Sequence, residues 1–140
     1  MRVTRESSLV EVATGYAADA RGTGVAYARV SGNGQLKVWR FGFRVNAPRE
    51  CRDRAAGYAA LTALVRALFK RGIRTARFVI GDEELAREIT TGRQVDERLT
   101  LPYVRLRCAM NSLANLDVQA GATDDLTQRA RAEAALNVAA

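Results

Sequence analysis

The alternation of apolar and polar positions predicts three strands in succession at the start of this chain. Residues 9–17 alternate loosely and predict a first strand, and "ARGT" (20–23) predicts a short turn. "GVAYARVS" (24–31) predicts a second strand, and "GNG" (32–34) is a hairpin turn signal. "QLKVWRFGFRV" (35–45) then alternates cleanly. Trp39, Phe41, Phe43 and Val45 share one face, while Arg40, Gly42 and Arg44 share the other. Gly15 falls inside the first strand, where a glycine weakens pairing and marks a bulge or a close backbone approach.

The period then changes. Pro48 stands where a helix can begin, and the pattern stays helical to Lys70. Leu61, Leu64, Val65 and Leu68 recur at i, i+3, i+4 and i+7, which makes one buried stripe, with Gly57 and Tyr58 one turn earlier. Gly72 ends that helix. "RTARFVIGD" (74–82) predicts a buried fourth strand, and "EELAREITTG" (83–92) a short helix closed by Gly92. Thr100 and Pro102 open another helix, with Tyr103, Leu106, Met110 and Leu113 on one face. "LDVQAG" (116–121) predicts a last short strand, and Thr123 or Asp124 caps a final helix ending near Asn137. The order β-β-β-α-β-α-α-β-α predicts an α/β fold. Three antiparallel strands and two parallel additions form a mixed five-stranded sheet flanked by helices.

A chain of 140 residues fits one domain, here taken as residues 1–140 with 1–8 a flexible start. Two cysteines, Cys51 and Cys108, are too few for a disulfide framework or a zinc site. The chain has no histidine, so Ser-His-Asp and Cys-His catalysis lack their usual parts. No apolar run reaches the length of a membrane span, so no membrane partner is expected. "MRVTRESS" lacks the apolar core of a secretory signal, which gives the expectation of a bacterial-type cytoplasm. The net charge of +7 rests on an arginine-rich composition and permits contact with nucleic acid. Genomic composition is the slightly better account of the preference for arginine over lysine, but it does not explain the net positive sign.

Four local patterns in this order resemble the type-one ribonuclease H family, from about Val10 to Leu136. Residues 12–17, V-A-T-G-Y-A, are similar to the family's first-strand V-A-T-D-G-S. Residues 56–61, A-G-Y-A-A-L, are similar to its A-E-Y-x-A-L. "GDEELAREITTG" (81–92) follows its G-D-S-x-L pattern, and "TDDLTQRARAEAAL" faintly echoes N-x-x-A-D-x-L-A. The resemblance implies a site in which carboxylates from strand one, helix one, strand four and the last helix hold two magnesium ions for phosphodiester hydrolysis.

Carried onto this chain, that site is damaged. The strand-one aspartate falls on Gly15, or on Thr14 if the register slips by one. The helix-one glutamate falls on Gly57. Asp82 keeps the strand-four position and is the one metal ligand carried over. The fourth position falls on Asp124 or Gln128, and Glu83 replaces the serine after the third aspartate. Asp82 and Asp124 are thus the vestigial catalytic carboxylates, and each also suits a helix cap. Asp53, about one 5.4 Å turn before Gly57, reaches only the edge of such a site. Asp19, on the order of 13 Å along the strand from Gly15, is too far.

Arg40, Arg44, Arg49, Arg52 and Arg54 form the densest basic region and are the candidate phosphate contacts, with a solvated face partly neutralised by Glu50 and Asp53 as the plainer reading. The family's basic, tryptophan-bearing protrusion has no counterpart in "RQVDERLTLP" (93–102), so binding should be weak and salt-sensitive. The expected function is therefore a nuclease-inactive pseudoenzyme that binds nucleic acid, whether RNA–DNA hybrid or duplex, or serves as an interaction module. The alternatives are a divergent magnesium- or manganese-dependent ribonuclease H, and a structural homodimerisation domain. Without residual activity no cofactor is expected.

Overall fold

Strand β1 (Val10–Ala18) pairs antiparallel with β2 (Thr23–Gly32), and β2 with β3 (Gln35–Arg44). The computed structural model describes residues 9–32, 34–93 and 95–139. The segment 1–8 and Asn33 of the second hairpin turn lie outside the described residues. Asp19 closes the first hairpin: its buried carboxylate accepts the N–H groups of Arg21 (2.8 Å) and Thr23 (3.0 Å). Its placement in the turn keeps it from replacing a ligand in mid-strand.

After Arg44 the chain makes a short 3-10 turn at Arg49–Cys51 and then forms α1 (Arg52–Lys70). The α-helix thus starts later than Pro48 predicts, because the first turn after the proline is wound tighter. Strand β4 (Thr75–Ile80) returns beside β1 in parallel, the crossover that α1 provides. Helix α2 (Glu83–Thr91) ends at Gly92, whose φ of 70° lies in the left-handed region that glycine adopts without steric cost. Helix α3 (Thr100–Met110), strand β5 (Asn115–Ala120) and helix α4 (Asp124–Ala139) complete the chain. The sheet order is β3-β2-β1-β4-β5, with β4 and β5 parallel to β1.

The alternation of β1 sorts its side chains between two layers. Val10, Val12 and Tyr16 join the main core with Tyr58, Leu61, Leu64 and Leu68 of α1 and with Phe78 and Ile80 of β4. Ala13 and Ala17 face the other layer, where Val25 and Tyr27 pack on Leu126 and Ala130 of α4. Helices α1, α2 and α3 therefore cover one face of the sheet, and α4 the other. On β3 the expected faces are found. Trp39 and Phe41 pack on the α1 layer, and the Arg71 guanidinium sits 4.4 Å over the Trp39 ring. Arg40 points the opposite way and pairs with Glu133 of α4. Among the described residues no helix is long and apolar enough to cross a membrane.

Candidate functional site

The carboxyl-terminal ends of β1 and β4 open on a cleft between the starts of α1, α2 and α4. Thr14, Asp53, Asp82, Asp124, Gln128 and Arg131 are among its lining residues. Asp82 and Asp124 both line this cleft, together with Asp53. Asp124 and Gln128, the two alternatives for the fourth position, both line the cleft from α4, one turn apart.

The register of β1 decides between Gly15 and Thr14. Thr14 pairs with Ile80 of β4, is fully buried and faces the cleft. Gly15 faces the other layer. A Cβ on Gly15 would overlap the backbone nitrogen of Thr127 and lie 2.7 Å from its Cα. Gly15 is thus a point of backbone contact between β1 and α4, and the strand-one position of the cleft belongs to Thr14. A threonine hydroxyl supplies no negative charge, and the Thr14 Oγ1 has no hydrogen-bond partner within the described residues.

The helix-one position is filled by neighbours. A Cβ on Gly57 would overlap Leu85 Cδ2 and come within 2.7 Å of the Tyr16 hydroxyl. Tyr16 projects from β1 into the space a longer side chain at Gly57 would need. Burial raises its phenol pKa well above the usual value, and Asp82 adds to the effect against the opposing charge of Arg54.

Asp82 is engaged on both oxygens. Its Oδ1 accepts the Leu85 N–H at 3.0 Å, the cap of α2 that its position predicts. Its Oδ2 accepts Nε of Arg54 at 3.1 Å. The same guanidinium reaches Glu84 at 2.8 Å and Glu88 at 2.5 Å, so one arginine bridges three carboxylates. Burial opposes its ionisation, but these partners outweigh burial and raise its pKa. Glu88 also accepts the Tyr58 hydroxyl at 2.7 Å, and Tyr58 meets Tyr103 edge to face. Sequence reasoning missed this cluster. Its signal is the spacing of Glu84 and Glu88 on one face of α2, opposite an arginine one turn before Gly57.

Two divalent cations need several hard oxygen ligands converging without competing cations. The cleft has a threonine at one position, a glycine at the second and a carboxylate already paired with arginine at the third. Among the described residues no three acidic or cysteine side chains gather closely enough to hold a metal ion. The donor set does not fit the two-metal chemistry.

The five candidate phosphate contacts do not form one patch. Arg54 belongs to the carboxylate cluster, where it is one-fifth exposed. Arg40 is bound to Glu133 on the α4 side. Arg44 lies at the end of β3, donating to Thr23 Oγ1 at 3.4 Å, and Arg49 and Arg52 lead into α1.

No protein-family model matches the sequence, and no curated protein matches it significantly. Solved structures match over nearly the whole chain. Ribonuclease H1 of Halobacterium salinarum NRC-1 is 18% identical, with a TM-score of 0.71, covering 92% of this chain and 98% of its own. The N-terminal ribonuclease H domain of a Mycobacterium tuberculosis protein is 15% identical, with a TM-score of 0.72, covering 93% and 98%. A compost-derived ribonuclease H1 in complex with an RNA/DNA hybrid is 14% identical, with a TM-score of 0.67, covering 88% and 91%. The chain has the ribonuclease-H-like fold.

Proposed function

We propose that this chain is a ribonuclease-H-fold module that binds nucleic acid without hydrolysing it. The observation that carries the loss of hydrolysis is the engagement of Asp82. Its two oxygens are held by the α2 backbone and by Arg54, beside a threonine and a glycine at the partner positions. A guanidinium neutralises charge, but it cannot activate a water or act as a Lewis acid on a phosphoryl oxygen. Binding is supported by the net charge of +7 and by the hybrid complex of a protein of the same fold.

The test has two halves. Purified protein with a labelled RNA–DNA hybrid and magnesium or manganese should give no cleavage. Fluorescence anisotropy with the same hybrid should report binding that weakens steeply as salt rises, because counterion release dominates phosphate contacts. Affinity that stays flat across that range contradicts phosphate-driven binding.

A second reading has one observation in its favour: Asp53, Asp82 and Asp124 line a single cleft. It makes the protein a divergent metal-dependent nuclease. Cleavage that disappears in Asp82→Asn would establish it.

A further inference from the structure

A second groove lies on a different face of α1 from the cleft. The end of β3 and the following loop form one wall, α1 the floor, and the start of α3 the other wall. Its volume is about 500 Å³. Arg44, Arg66, Arg98 and Arg105 line it, and among the described residues no acidic one does. All four arginines are exposed. Arg98 pairs with Asp96 and Glu50 outside the groove. Arg44, Arg66 and Arg105 have no carboxylate partner among the described residues. Half-buried Phe43 and exposed Leu101 add apolar surface between the charges.

We infer that this groove, and not the carboxylate cleft, receives the phosphate backbone of the bound nucleic acid; the inference rests on the nucleic-acid reading above. In a two-metal site the cations mask the carboxylates and draw phosphate in. Here Asp53 and Asp124 line the cleft against Arg131, and Asp82 is paired with Arg54, so the cleft offers no net positive field to a phosphate backbone. The groove presents a positive one. Arg66 of α1 and Arg105 of α3 line it from two sides, and each guanidinium can hold a phosphate through paired N–H donors. Phe43 and Leu101 offer contact to sugars or to an unstacked base. Nothing in this arrangement reads base edges, so the contact sets register and affinity rather than sequence preference.

The experiment is an anisotropy titration of a fluorescein-labelled RNA–DNA hybrid against wild type and two double variants of equal net charge. Arg66→Glu with Arg105→Glu reverses the groove. Arg21→Glu with Arg87→Glu reverses exposed arginines elsewhere. Circular dichroism confirms that each is folded, and Arg66→Gln with Arg105→Gln replaces the groove variant if reversal unfolds it. Loss of two charge-assisted contacts should weaken binding roughly tenfold or more. It should also lower the slope of log affinity against log salt by about two. The control pair should keep near-wild-type affinity. Equal losses in both pairs, or binding that survives groove reversal, overturn the groove and leave the nucleic-acid reading standing. No binding by wild type overturns both. Displacement of the hybrid by polyglutamate at matched charge concentration, with equal affinity, would reassign the groove to an acidic protein partner.

Discussion

Gly15 of β1 and Thr127 of α4 touch backbone to backbone: a Cβ on Gly15 would overlap the Thr127 nitrogen. The absence of a side chain at Gly15 is a packing requirement, and it brings α4 close enough for Leu126 and Ala130 to seal the second layer. Gly15→Ala should therefore destabilise the fold by about 3 kcal/mol, because neither backbone can yield cheaply. Chemical denaturation measures this directly. Thr14→Asp should behave differently, since its side chain enters the cleft. It should remain folded, whereas Gly15→Asp should not, and expression with circular dichroism separates the two.

Arg54 holds Asp82, Glu84 and Glu88 together while remaining one-fifth exposed. Arg54→Met leaves three carboxylates facing one another. The loss should be about 2 kcal/mol at neutral pH, less than for a fully buried pair because water reaches the cluster. Thermal melts of both proteins at neutral pH check this.

Much of the fold was legible because its hydrophobic periods are long and bounded by glycines. The alternation through Trp39, Phe41 and Phe43, the α1 stripe and the stop at Gly92 all appear as the pattern predicts. The site was legible only to within one residue. A strand alternates faces at every step, so the choice between Gly15 and Thr14 decides which layer a side chain enters. Composition does not fix that choice; the pairing of Thr14 with Ile80 does. The fate of Arg54 was also hidden. Its neighbours in sequence, Arg49 and Arg52, suggest a basic surface, while its partners come from α2, about thirty residues away.

Two tyrosines should set the alkaline limit of stability. Burial raises the pKa of Tyr16 and of Tyr58, and the hydrogen bond to Glu88 raises Tyr58 further. Folding thus favours the neutral phenol. The resulting stability is fully present below the unfolded value of 10.0 and is lost as pH rises through the folded values. Tyr16→Phe and Tyr58→Phe should each make stability fall less steeply above that pH. Melting temperature against pH reads the slope.

Glu133 should act at the other extreme. The hydrogen bond from Arg40, then that from Tyr27, lowers its pKa from 4.5 to about 2. Its contribution is present above pH 4.5 and disappears as pH falls toward about 2. Glu133→Gln should flatten that part of the acid titration and loosen the attachment of α4 to β2 and β3. Hydrogen exchange along α4 detects the loosening.

The proposal is that this ribonuclease-H-like fold, with Asp82 held by Arg54, binds nucleic acid without cutting it. The most direct measurement is hydrolysis of an end-labelled RNA–DNA hybrid by the pure protein over a magnesium and manganese series, with Asp82→Asn alongside. Both proteins should leave the substrate intact. Cleavage by wild type that Asp82→Asn abolishes would contradict the proposal.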